Sequence, residues 1–252
     1  MPSAIYIVTG ASRGLGAAIA EQLLAPGHTV LCISRKQNPA LEPLAGKAGA
    51  TLLQWQRDLA DPERVAEELA QWLAGIGPAQ LSTACLINNA AMISRVGPVD
   101  ESSNTELAQA VRVGIEAPLL LSASFLRATR DWPASRRILN ISSGLGRRAM
   151  AGSAAYCAVK AGLDNLSRAM ALDETGHANA ARIVSLAPGV IDTDMQVQLR
   201  GADEAGFPDK ANFVALKERG MLASPAQAAR QVVDFLHRAE FGNEVIADVR
   251  NV

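Results

Sequence analysis

The sequence predicts an α/β fold: a doubly wound, mainly parallel seven-stranded sheet with helices on both faces, built as a single domain. Three observations carry this. Short apolar, β-rich runs alternate with longer amphipathic stretches, the pattern of stacked βαβ units. The short runs are apolar throughout instead of alternating, as strands are when helices cover both faces of the sheet. A glycine-rich turn joins the first run to the first amphipathic stretch, where a parallel sheet places its anion-binding loop.

In chain order, Ile5–Thr9 is the first strand and Leu15–Leu24 the first helix. Strands follow at Thr29–Ser34 and Thr51–Gln56. The helix Pro62–Leu73 starts with a proline at its first position, behind Asp61 as N-cap. Then come strand Ala84–Asn88, helix Thr105–Thr129, strand Arg137–Ser142, helix Ala154–Leu172 and strand Ala181–Leu186. Helix Pro225–Arg238 repeats the device with Ser224-Pro225, and Glu244–Ala247 is a weaker last strand. Residues 192–223, with Gly201, Gly206, Pro208 and Gly220, show no clear period. A long irregular segment in a compact α/β domain reads as a substrate lid.

Composition excludes several functions. The 252 residues are 49% hydrophobic with a net charge of −1, so the chain can bury a core and has no electrostatic reason to bind nucleic acid. No apolar stretch approaches the roughly 20 residues of a membrane span. Cys32, Cys85 and Cys157 are far apart, which fits a reducing compartment, and the three histidines (His28, His177, His237) are equally scattered, so no metal site is expected. Met1-Pro2-Ser3 leads straight into the first strand, leaving no room for a leader, and a cytoplasmic protein is expected.

The turn Thr9-Gly10-Ala11-Ser12-Arg13-Gly14-Leu15-Gly16 has the form TGxxxGxG. Its glycines allow a tight turn, close approach of backbone to a pyrophosphate, and close packing of helix on strand. The second strand ends Ser34-Arg35-Lys36, and no acid occurs between Glu21 and Glu42. An acid there would bond a ribose 2′-hydroxyl, whereas arginine accommodates a 2′-phosphate. Arg13 and Arg35 can fork one phosphate, so NADPH/NADP+ is the expected cofactor.

Tyr156 and Lys160 lie four apart at the start of a helix, hence on one face. The chain has only two tyrosines and five lysines, which makes the pairing informative. Phenol exchanges a proton near neutrality only with help from a neighbouring cation. Ser143, thirteen residues earlier, ends a strand, where parallel sheets bind ligands.

With Asp58 after the third strand, Asn88-Asn89-Ala90 after the fourth, and Pro188-Gly189 followed by Thr193, these motifs resemble the short-chain dehydrogenase/reductase family in its single-domain branch, over nearly the whole chain. The segments Ser153–Asp164 and Ser185–Gln196, with Phe213, Leu216 and Gly220, are most similar to benzil reductases and sepiapterin reductases. The resemblance implies a Rossmann-type fold and an NADPH-dependent carbonyl reductase of hydrophobic ketones or 1,2-diketones. Tyr156 would deliver a proton to the carbonyl oxygen, Ser143 would hold that oxygen, and Lys160 would bind the nicotinamide ribose and depress the tyrosine pKa. Gly10, Ser12, Arg13, Gly14, Leu15, Gly16, Ser34, Arg35, Leu59, Val190 and Ile191 would line the cofactor. Asp58 would bond the adenine, Asn89 and Ala90 would line its ribose, and Thr193, after Pro188-Gly189-Val190-Ile191, would meet the carboxamide or the phosphates. Family members commonly pair the helix at Ala154–Leu172 and the long one before it into dimers or tetramers.

Two positions depart from the family pattern. Gly114 stands where an asparagine is usual, so a side-chain link in the proton relay from Lys160 is missing and a backbone carbonyl would replace it, with altered rate or pH dependence. Ala91 replaces a glycine, a minor steric change. Leu145, Met150 and Met195 are expected at the substrate, with Met92, Ile93, Leu199, Phe207 and Phe213 either beside it or in ordinary core. Arg147 and Arg148 either face solvent or meet an anionic substrate. A 3-oxoacyl reductase of lipid synthesis and a non-catalytic NADP(H)-binding regulator are the alternative readings.

Overall fold

The computed structural model describes residues 3–251. Met1 and Pro2, on which the expectation of no leader rests, lie outside the described residues with Val252. Seven strands form one sheet: β1 (Ser3–Thr9), β2 (His28–Ser34), β3 (Thr51–Gln56), β4 (Leu81–Asn88), β5 (Ser135–Ile141), β6 (Arg182–Ala187) and β7 (Ile246–Asp248). Their order is β3-β2-β1-β4-β5-β6-β7, and every pairing is parallel. The order reverses between β1 and β4, which opens a crevice at the carboxyl ends of those strands.

The continuous apolar runs divide their side chains between two cores. Ala4, Tyr6 and Val8 of β1 join one, beneath α1 (Gly14–Gln22) and α9 (Pro225–Leu236). Ile5 and Ile7 join the other, beneath α3 (Pro62–Ala74) and α5 (Ala117–Ala128). Period-2 geometry sends neighbours to opposite faces, so both must be apolar. Ser224 caps α9 with a reciprocal bond to Gln227, as its sequence context suggests. Asp61 does stand at the N-cap of α3, but its side chain makes no capping bond.

Three stretches differ from the sequence reading. A helix α2 (Leu41–Ala48), not anticipated, buries only Leu41 and Ala45, too few for a clear period. The stretch 105–129 divides into α4 (Asn104–Val111), a π-turn at Arg112–Glu116 and α5, where Pro118 in the first turn of α5 cannot donate a ladder bond. The irregular segment 192–223 contains two helices, α7 (Asp194–Gly201) and α8 (Lys210–Glu218). Both are short, and α8 has no fully buried residue, so neither shows a strong stripe. The remaining helix, α6 (Ala154–Asp173), runs as predicted to within a residue.

Candidate active site

The crevice forms a cleft of about 1100 Å³ along the carboxyl ends of the strands. Its floor at one end is the glycine loop. Gly10 and Gly14 have φ of +69° and +59°, which L side chains rarely adopt. A Cβ on Gly16 would come within 2.3 Å of the Gly10 carbonyl oxygen, so α1 can close on the loop only with glycine there. The Gly10 N–H donates to the Ile33 carbonyl at 2.8 Å, tying the loop to β2. Thr9 Oγ1 accepts from the backbone N–H groups of Asn89 and Ala90, both at 3.0 Å, and Asn89 Nδ2 donates to the Thr9 carbonyl at 2.9 Å. These bonds lock the ends of β1 and β4 together. Such a loop at a helix N-terminus is a cradle for phosphate.

Every residue proposed from sequence for cofactor contact lines this cleft: Gly10, Ser12, Arg13, Gly14, Leu15, Gly16, Ser34, Arg35, Asp58, Leu59, Asn89, Ala90, Tyr156, Lys160, Pro188, Gly189, Val190, Ile191 and Thr193. Arg35 and Lys36 are exposed and have no ion-pair partner among the described residues. Arg13 is different from expectation: its guanidinium pairs with Asp194 at the start of α7, which carries a carboxylate to the mouth of the cleft. Arg57 also lines this end, but Glu68 holds it at 2.5 Å.

At the other end, Ser143, Tyr156 and Lys160 come together. Ser143 follows β5 and caps the turn Gly144–Gly146, its Oγ accepting from the Leu145 N–H at 3.2 Å. The first turn of α6 presents Tyr156, and the next turn presents Lys160. Burial pushes the Tyr156 phenol up to about 12, with the Ser143 hydroxyl pulling it back in part. Lys160 is buried, its Nζ donates to the Ile141 carbonyl at 2.7 Å and lies 5.6 Å from the Tyr156 ring centroid. Burial pushes its ammonium down to about 8, and Asp164 opposes the shift. A buried chain of amides supports this end from below: Asn88 Nδ2 donates to Asn140 Oδ1 at 2.8 Å, and Asn140 Nδ2 donates to Ser167 Oγ at 2.8 Å, linking β4, β5 and α6.

Beside the hydroxyls the wall is apolar, with Met92, Ile93, Leu145, Met150, Met195, Leu199 and Phe213. Phe207 is not part of it. It is fully buried with Met150 and Leu199 in a small third core that seats the α7–α8 segment on the domain. Arg148 lines the cleft, whereas Arg147 turns inward to Asp164, with Nε 3.2 Å from Oδ2.

Gly114 lies buried in the π-turn, and a Cβ there would come within 2.3 Å of Val159 Cγ1. Asparagine at 114 would press on Val159 and force it to shift, so the two positions act as a pair. Sequence reasoning missed Asp164 and Arg250 at this end; the helical spacing of Tyr156, Lys160 and Asp164, four and four, was the available signal for the first.

A family model described as short chain dehydrogenase matches residues 4–204. The chain belongs to the short-chain dehydrogenase family. It is therefore an oxidoreductase of a family that uses a nicotinamide cofactor. It is 35% identical over 235 residues to a benzil reductase ((S)-benzoin forming) of Bacillus cereus, covering 93% of this chain and 94% of that one. A sepiapterin reductase of Xenopus tropicalis is 32% identical over 247 residues, covering 93% and 91%. Among solved structures, a protein of Agrobacterium tumefaciens provisionally assigned as a 2-deoxy-D-gluconate 3-dehydrogenase, with NADP bound, superposes with a TM-score of 0.79 at 26% identity, covering 99% of this chain and 95% of that one. Among the described residues no helix is long and apolar enough to cross a membrane, and no group of metal-binding side chains occurs.

Proposed function

We propose that the protein is an NADPH-dependent carbonyl reductase of hydrophobic ketones, with 1,2-diketones of the benzil type as its preferred class. The observation that carries this is the meeting of the Ser143 and Tyr156 hydroxyls at an apolar wall, in one cleft with the glycine loop. The similarity to a benzil reductase over almost the full length supports the substrate class. A bound nicotinamide supplies the hydride.

Reduction leaves negative charge on the carbonyl oxygen, and donors aimed at that oxygen stabilise it. Ser143 holds the oxygen and Tyr156 donates the proton. With its pKa held near 12, the phenol is protonated throughout the neutral range, the state a donor requires. Lys160 stabilises the phenolate that remains once the proton has gone. Met92, Ile93, Met150 and Met195 supply an adaptable apolar surface for flat substrates. At the far end, Arg35 and Lys36 with Ser34 receive the 2′-phosphate, since no acid closes β2 to compete for a free ribose hydroxyl. Residues 192–223 form the substrate lid.

The enzyme works in the cytoplasm as a homodimer or homotetramer. Buried Cys32 and Cys85 suit a reducing compartment, and Leu119 on α5 and Leu172 on α6 leave apolar surface exposed. Light scattering of the purified protein checks the assembly.

NADPH consumption with benzil tests the activity, with Tyr156→Phe as control. That variant is expected to lose about 10²- to 10⁴-fold in kcat while still binding NADPH. Tight cofactor binding without turnover of benzil or any ketone in a panel would instead favour a regulator.

A further inference from the structure

Asp164 is almost fully buried, 2% exposed, one helical turn beyond Lys160 on α6. Its Oδ1 accepts from two hydroxyls, Ser142 Oγ and Ser185 Oγ, both at 2.6 Å. Ser142 is the residue immediately before Ser143, and Ser185 lies on β6. Oδ2 takes no aligned hydrogen bond, and Arg147 Nε stands 3.2 Å from it. A buried carboxylate with a poorly satisfied oxygen is costly to the fold, so its presence calls for a reason.

The surroundings have been shaped to admit it. A Cβ on Gly146 would stand 2.8 Å from Asp164 Oδ2 and 2.9 Å from the Lys160 carbonyl oxygen, so the turn after Ser143 can lie on α6 only with glycine at 146. Arg147, the next residue, also donates to the Ala247 carbonyl at 3.0 Å and stands 4.0 Å from Asp248, which Arg250 holds at 2.6 Å. The charged groups facing this point are therefore Lys160 on α6 itself, Arg147 on the turn after β5, and Asp248 with Arg250 at the end of β7.

We propose that Asp164 is a positioning residue for the active site: through Ser142 and Ser185 it pins the end of β5 that leads into Ser143, and it places a buried carboxylate one helical turn from Lys160 on α6. This rests on the carbonyl-reductase reading above. Arg147 competes for the same carboxylate and anchors it to β7. Burial opposes charge on Lys160 and Asp164 favours it, so the two act in opposite directions on one proton. On this proposal the Lys160 charge is needed for turnover, so its loss marks an alkaline limit of reduction.

The experiment is the pH dependence of kcat/KM for benzil reduction by NADPH in Asp164→Asn and Arg147→Met, each with its thermal midpoint. Asp164→Asn keeps the shape and removes the charge. Its alkaline limb is expected to move down by about one pH unit or more, a loss of about tenfold at pH 8.5 with little loss near pH 6.5. Arg147→Met removes the cation that competes for the Asp164 carboxylate, so its limb is expected to move up. Opposite shifts are something a merely structural role would not produce. Limbs that stay in place, or move together, would overturn the proposal. If Asp164→Asn does not fold, the half-exposed Arg147 position decides alone: an upward limb supports the proposal and an unmoved or lowered one rejects it. Failure of the underlying reading shows separately, as full turnover by Tyr156→Phe.

Discussion

The two ends of the cleft handle charge in opposite ways. At the glycine-loop end Arg35 and Lys36 are exposed and uncommitted, and Arg13 pairs with an equally exposed Asp194. At the other end Lys160 and Asp164 are buried, and each is held by named partners within the fold. Exposed cations act through a charge that salt screens. Buried ones depend on the groups packed around them, so charged residues are left open to solvent and ligand at one end and are fixed by the fold at the other. A similar contrast separates the sheet from the α7–α8 segment: the sheet rests on two large cores, whereas that segment is seated by a small one around Phe207.

The largest break in that second contrast is Phe207→Ala. Losing this ring should cost about 3–5 kcal/mol, concentrated in α7 and α8. Hydrogen exchange is expected to quicken in residues 194–218 and not in α3 or α5, with a raised KM for the ketone. Next, Arg35→Gln should weaken NADPH relative to NADH by about 10- to 100-fold in kcat/KM, the worth of a charge-assisted bond to phosphate. The variant's remaining preference should fall further with added salt. Gly114→Asn is expected to cost about 1–3 kcal/mol through overpacking against Val159, seen as a lowered thermal midpoint. Gly114→Asn with Val159→Ala should recover most of it, and only that pair can report on a side chain at 114 in the pH–rate profile. The smallest effect is expected from Asp194→Asn. An exposed ion pair contributes about 1 kcal/mol at most, so freeing Arg13 should lower the KM for NADPH by a few-fold and leave kcat with benzil unchanged.

Much of this was legible in the chain. The apolar runs specify strands because residues buried on both faces leave no alternation, and the spacing of Gly10, Gly14 and Gly16 announces the loop because no other residue type tolerates that backbone and that packing. Helices α7 and α8 were not legible. Their apolar residues, such as Leu199 and Phe213, meet partners from distant segments, Met150 and Leu145 among them, and short helices with so little burial carry too weak a period. Asp164 was visible as the third member of a four-residue spacing with Tyr156 and Lys160. Nothing local to it shows that Ser142, Ser185 and Arg147 converge on its carboxylate.

By itself, then, the sequence determined the parallel sheet, the order of its strands along the chain, and the residue types at both ends of the cleft, because periodicity, turn geometry and helical spacing act over only a few residues. The tertiary structure alone decided the burial of Lys160 and Asp164, the pairing of Arg13 with Asp194 and the crowding of Gly114 by Val159. Each of these depends on groups far apart in the chain being brought within a few ångströms and out of water, where the cost of charge and the lack of space are set by neighbours that local sequence does not name.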